Sequence, residues 1–146
     1  MPTAKGDEAV AQRIFEAGEE KIADVLGFVE GELEKACCPP KIINSVCVAI
    51  EEIFVNIAHY AYPEGGGTVK ISVDINESAR TAIITVIDSG IAFDPLKKND
   101  PDITLPAEQR KIGGLGIFIV KKTMDSLGYT RENGENILTM TKNFES

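Results

Sequence analysis

The residues of this 146-residue chain whose types and spacing can do chemistry fall into three groups. The first is Glu52, Asn56 and His59, set within a long apolar-striped segment. At about 100° per residue, Glu52 and Asn56 stand about 40° apart after one helical turn, and His59 falls about 20° short of two turns from Glu52. All three therefore share one helix face, opposite the apolar stripe. The second group is Asp88-Ser89-Gly90, at the end of a β-branched run and followed by Ile91-Ala92-Phe93. The third is Gly113-Gly114-Leu115-Gly116, which opens directly onto an amphipathic helix whose free N–H groups and positive dipole end favour a phosphate.

Taken singly, each group has an ordinary reading: solvated side chains, a strand-ending turn, a flexible linker. Together they describe a nucleotide site. Asp88 accepts an adenine amino proton, the glycine loop holds phosphates, and an amide beside a carboxylate holds Mg²⁺ and orients a nucleophile. Mg²⁺ prefers hard oxygen ligands and keeps several waters, so Asn56 with phosphate oxygens is a sufficient set. No Walker A sequence is present, and the fragment GGLG lacks the preceding strand of a dinucleotide-binding motif.

The elements that must position these residues follow from the hydrophobic periodicity. Residues 10 to 16 read as a weakly marked strand. Ile22, Val25, Leu26, Val29 and Leu33 draw a helix from Glu19 to about Ala36. Pro39-Pro40 stops it and opens a second helix from about 41 to 61, with Ile43, Val46, Cys47, Ile50, Ile53, Phe54, Ile57 and Ala61 on its buried side. Thr68 to Asn76 alternates as a half-buried strand, and Arg80 to Asp88 follows across a hairpin. The second of these strands is apolar on both faces, which places it mid-sheet under helices. Residues 94 to 112 read as a loop. Ile117, Val120, Met124 and Leu127 draw a third helix stopped by Gly128, and 129 to 132 with 136 to 142 form a closing hairpin over Asn133-Gly134-Glu135. The expected class is α+β, a two-layer sandwich with helices on one face of a mostly antiparallel mixed sheet, in one domain spanning 1–146.

Composition narrows the function. Fifteen basic against 23 acidic residues give a net charge of −8, which argues against a general nucleic-acid or anionic-membrane binder and leaves room for a local cationic pocket. Cys37, Cys38 and Cys47 have neither zinc-site nor disulfide-framework spacing and read as reduced thiols. The N-terminus lacks the apolar core of a secretory signal, and no apolar run approaches the roughly 20 residues of a membrane span. The expectation is a cytoplasmic protein.

In that order, and with a hairpin between the first two, Glu52-x-x-x-Asn56, Asp88-x-Gly90 and Gly113-Gly114-Leu115-Gly116 resemble the N, G1 and G2 boxes of the GHKL ATPases, the group that contains gyrase and the histidine kinases. The match is nearest to the stand-alone bacterial anti-sigma-factor serine kinases and covers about residues 10 to 144. The resemblance implies a histidine-kinase-like ATPase fold that uses ATP and Mg²⁺. By likeness, Glu52 is the general base, Asn56 the Mg²⁺ ligand and Asp88 the adenine-reading carboxylate. Gly90, Ala92 and Phe93 belong to the base-side segment, and Gly113, Gly114, Leu115 and Gly116 to the phosphate side, under a lid at about 96–112. Lys111 and Arg110 read either as γ-phosphate contacts or as solvated lid charge. The chain departs from the family in two places: Ala92 stands where a second glycine is common, and Asn136 stands near the place of a threonine that supports adenine recognition.

The implied activity is a serine/threonine protein kinase whose substrate is a small regulatory protein such as an anti-sigma-factor antagonist, with a sigma factor as a second partner. The alternative is a nucleotide-gated binding module without appreciable transfer. His59 reads either as a surface residue or as a phosphoacceptor, and the strand at 10 to 16 offers an edge for a homodimer.

Overall fold

The computed structural model describes residues 8–97 and 114–144. Gly113, Arg110, Lys111 and nearly all of the lid expected at about 96–112 lie outside the described residues. Five strands and three helices run in the order β1 (Glu8–Glu16), α1 (Ile22–Lys35), α2 (Pro40–Tyr60), β2 (Thr68–Asn76), β3 (Thr81–Asp88), α3 (Gly114–Thr123), β4 (Ser126–Glu132) and β5 (Glu135–Asn143). Short 3-10 turns precede α1 at Glu19–Lys21 and follow β3 at Pro95–Lys97.

The strands form one sheet in the order β1-β2-β3-β5-β4. All four pairings are antiparallel, so the mixed sheet expected from sequence is antiparallel throughout the described residues. The alternation of β2 and β3 explains the layering. Val69, Ile71, Val73 and Ile75, with Ala82, Ile84 and Val86, are buried on one face, where they meet Val25, Val29 and Leu33 of α1, Ile50, Ile53 and Phe54 of α2, and Ile117 and Val120 of α3. Ile83 and Ile87 point to the opposite face and are only half-buried. β3 is thus central in the sheet, as its composition indicates, but helices cover one of its faces rather than two.

Helix α2 begins as the sequence requires: Pro39 is extended, Pro40 occupies the first turn, and the Ile43 amide donates to the Pro39 carbonyl at 3.0 Å. Its 21 residues are apolar and long enough to cross a membrane by length and composition alone, with a mean hydropathy of 1.4. That apolarity is spent on the core, since Ile43, Val46, Ala49, Ile50, Ile53 and Phe54 are buried.

The third helix is shorter than its stripe. Val120, Met124 and Leu127 keep helical spacing, yet α3 ends at Thr123 and Leu127 lies in β4 opposite Met140. Here the Asp125 amide donates to the Thr141 carbonyl at 2.9 Å, so the chain has already turned to pair with β5. The β4–β5 turn is a two-residue Asn133-Gly134 turn with φ of 53° and 79°, the left-handed pair that suits a twisted hairpin. It fixes the register that sets Arg131 opposite Asn136 and Tyr129 opposite Leu138.

Candidate nucleotide site

Between α2, the end of β3, α3 and the β4–β5 hairpin lies a cavity of about 570 Å³, its mouth included. Its walls are apolar: Ile53 and Ile57 of α2, Val86, Ile91, Pro95, Ile117 and Leu138. Asn56, Asp88 and Asn136 supply polar atoms, with Tyr60, Ala61, Phe93 and Tyr129 completing the lining. A mostly apolar slot with a few fixed polar groups is the usual form of a small-molecule site.

Asp88 and Asn136 are the buried polar residues of the described chain, each 6% exposed. Asp88 ends β3, and its Oδ1 accepts from the Gly90 amide at 2.8 Å and from Asn136 Nδ2 at 2.9 Å. Its Oδ2 receives no hydrogen bond from a described residue and belongs to a side chain lining the cavity. One oxygen is thus fixed by the protein while the other remains an acceptor for a donor within the cavity.

Gly90 has a different reason to be glycine than the one its motif suggests. A Cβ there would run into the carbonyl oxygen and side chain of Ala61, just beyond α2. The Ile91 amide donates to that same carbonyl at 2.9 Å. Gly90 therefore lets the end of β3 dock against the end of α2, and it does not line the cavity. Ala92 is exposed and also stands outside the lining. The non-glycine residues with positive φ are Cys37, Arg80 and Asn133 among the described ones, so the Ala92 methyl meets no left-handed strain.

At the other end, Asn56 Nδ2 donates to the Glu52 carbonyl one turn back at 2.9 Å. This orients the amide and leaves Oδ1 without a partner among the described residues. Glu52 is half-buried and reaches α3: a Cβ on Gly116 would strike its carboxylate. The carboxylate thus rests against the first turn of α3, whose backbone starts at Gly114 and continues through Leu115. His59 turns away, with its Nε2 2.5 Å from Glu19 Oε2, and both side chains are largely exposed.

Tyr62, which reads from sequence as a packing residue, and Tyr129, which sequence reasoning passed over, both organise the site. The Tyr62 hydroxyl donates to the Thr68 carbonyl at 2.7 Å and accepts from the Ser89 amide at 2.7 Å. Its ring packs so closely on Gly67 that a side chain at that position would overlap it. Tyr129 donates to Asn136 Oδ1 at 2.5 Å. The Asn133-Gly134 turn is the signal that finds Tyr129, because counting back from it puts Tyr129 and Asn136 on one face.

The model of the histidine kinase-like ATPase domain matches residues 15–142. The chain belongs to this family. It is 29% identical to the serine-protein kinase RsbW of Bacillus thuringiensis (strain Al Hakam) and of Bacillus anthracis (strain CDC 684 / NRRL 3495), each match covering 95% of this chain and 79% of the relative. Among solved structures it resembles the RsbU and RsbW domains of a Mycobacterium tuberculosis protein, with a TM-score of 0.65 at 14% identity over 92% of this chain. It also resembles the histidine kinase domain of a blue-light activated kinase from Erythrobacter litoralis, with a TM-score of 0.56 at 16% identity over 84% of this chain. The chain spans 32% and 61% of those two chains, and at such identities they speak for the fold alone.

The similarity to RsbW supports membership of a kinase-like family of the histidine kinase-like ATPase fold. Among the described residues no cluster of three or more His, Cys, Asp or Glu stands ready for a metal. The donor set instead fits a hard cation held partly by a ligand's own oxygens: an unpartnered amide oxygen on Asn56 and a nearby carboxylate.

Proposed function

We propose that this protein is an ATP- and Mg²⁺-dependent serine/threonine protein kinase acting on a small regulatory protein, an anti-sigma-factor antagonist, and that it holds a sigma factor in its other state. The observation that carries the reading is the spacing of functions along one groove. Asp88 and the Asn56 amide both line the apolar cavity, while the Glu52 carboxylate, one turn before Asn56 on α2, rests against the start of α3, where a helix end favours phosphate.

In this assignment adenine occupies the cavity and its amino N–H donates a hydrogen bond to Asp88 Oδ2. The triphosphate extends towards Gly114 and Gly116. Mg²⁺ would be held by Asn56 Oδ1 and phosphate oxygens, and when bound it neutralises phosphate charge. Glu52 accepts the proton of the partner's hydroxyl as that oxygen bonds to the γ-phosphorus and the bond to the ADP oxygen breaks. Phosphoryl transfer needs mainly positioning and charge stabilisation, so a short set of residues suffices. The similarity to the serine-protein kinase RsbW supports transfer to a serine.

The test is γ-phosphate transfer to a candidate partner by wild type and Glu52→Ala. Transfer is expected to vanish in the variant while ATP still binds; retained transfer removes Glu52 from the base role. The second reading, a nucleotide-gated binding module, draws on Ala92 in place of the family's second glycine. It is favoured if nucleotide binds and no ADP forms with Mg²⁺ and partner present. A cytoplasmic location accompanies the kinase reading, as does a homodimer formed through β1, an edge strand whose Val10 and Ile14 are exposed. A monomer mass by light scattering discards the dimer.

A further inference from the structure

Asn136 uses its whole side-chain amide on the protein. Nδ2 donates to Asp88 Oδ1 at 2.9 Å and to the Ile91 carbonyl at 2.8 Å. Oδ1 accepts from the Tyr129 hydroxyl at 2.5 Å and from the Phe93 amide at 3.3 Å. With two donor hydrogens and two acceptor lone pairs, an amide has no more to give. Asn136 therefore does not present a hydrogen-bonding group to a nucleotide. Its amide pairs with the Ile91 carbonyl and the Phe93 amide as a neighbouring strand's peptide would, and Ala92 lies between the two held groups. Arg131, opposite Asn136 in the hairpin, adds a bond to the Gly90 carbonyl at 2.8 Å.

We propose that Asn136 is a positioning residue that sets the base selectivity of the cavity, oriented by Tyr129. This rests on the adenine reading above. Its reach extends to both ends of the base-side segment: it decides which Asp88 oxygen faces the cavity, and it fixes the backbone at 91–93 that forms part of the wall. A carboxylate held by one oxygen presents only an acceptor edge to the ligand. That edge welcomes a purine with a 6-amino group and opposes one with a 6-oxo group, whose oxygen would face an unprotonated carboxylate. A freely turning Asp88 would discriminate less, because it could withdraw from the oxo group.

The orientation of the amide is itself determined. Reversing it would set Oδ1 against Asp88 Oδ1 and the Ile91 carbonyl, and would set Nδ2 against the Phe93 N–H. In that sense the Tyr129 hydroxyl donates to Oδ1 and holds the amide in place, and the two side chains lie diagonally on one face of the hairpin.

Equilibrium binding of ATP and inosine triphosphate, with Mg²⁺, to wild type, Asn136→Ala and Tyr129→Phe tests this, alongside thermal melting. Wild type should prefer ATP by at least about tenfold, the range of a hydrogen bond to a charged group. Asn136→Ala should lower that preference by about tenfold, and Tyr129→Phe, which keeps the ring and its packing, by about threefold. Should Asn136→Ala fail to fold, Tyr129→Phe carries the comparison. Equal weakening of both nucleotides with the preference intact would reduce Asn136 to a packing role and overturn the inference while leaving the adenine reading in place. A wild type that binds neither nucleotide would remove both.

Discussion

Gly116→Ala separates the position of Glu52 from the stability of the fold. In a helix, alanine is favoured over glycine by about 1 kcal/mol, so the bare expectation is a more stable protein. Against this, the new Cβ would overlap the Glu52 carboxylate and approach its Cδ to 2.9 Å. Ordinary carbon contacts lie at about 3.5 to 4.0 Å, so Cδ must withdraw by about 0.6 to 1.1 Å and the overlapping Oε1 by more. The obstacle is the far end of a flexible side chain, and an off-rotamer adjustment costs about 0.5 to 1.5 kcal/mol. The two effects nearly cancel, and stability should change by less than about 1 kcal/mol. Catalysis has no such compensation, since a misplacement of about 1 Å can cost about a hundredfold in rate. Urea unfolding, ATP titration and initial rates of phosphate transfer measure the three quantities. A loss of about a hundredfold in kcat with ATP affinity within about threefold is the expected pattern. A rate near that of wild type at unchanged stability would show that the carboxylate seen against α3 is not the reacting group.

Tyr62→Phe deletes the hydroxyl that joins Thr68 to Ser89. Urea unfolding should show a loss of about 1 to 2 kcal/mol, with weaker ATP binding because Ser89 adjoins Asp88; a loss within error would make the bridge incidental. Burial, more than the nearby Glu30 and Glu51 charges, pushes the Cys47 thiol up to about 11. The unfolded chain therefore loses this proton first, so stability present below about pH 8.5 drains away as the pH rises towards that folded value. Cys47→Ser should flatten the fall between about pH 9 and 11, and parallel profiles for the two proteins would count against it.

The elements with unbroken periodicity are legible from the residues. β2 keeps its alternation over Thr68–Asn76, and α2 keeps its stripe from Ile43 to Phe54 with a proline start, so both emerge almost to the residue. The stripe overextends α3 because Leu127 satisfies two periods at once: it continues the helical spacing from Val120 and Met124, and it also packs as a strand residue beside Met140. Only the pairing of Asp125 with Thr141, distant in sequence, decides between them. At the site, the motif residues Asn56, Asp88, Phe93 and Asn136 meet around one cavity. The purpose of the glycines is less legible. Gly90 is small because Ala61 is close, and Gly116 because Glu52 is close. Both reasons are long-range contacts, which spacing within one segment does not encode.

Under the proposed function, the contact of Glu52 with Gly116 also accounts for how so acidic a chain would serve a triphosphate. A phosphate site built from lysine or arginine at the start of α3 would place a cation beside Glu52, and the resulting ion pair would occupy the carboxylate and weaken it as a base. A helix terminus supplies a partial positive charge of about half a unit through backbone N–H groups, with no side chain to form such a pair. Among the described residues Glu52 has no ion-pair partner, whereas Glu32 has Lys35 and Glu19 is hydrogen-bonded to His59. Glycine at position 116 then admits the carboxylate to the same helix end. The carboxylate and a phosphate would repel each other there, so the proposed triphosphate site would call for a divalent cation. A single amide oxygen on Asn56 is a fitting ligand for it: it holds the cation without adding a further negative charge beside the phosphates.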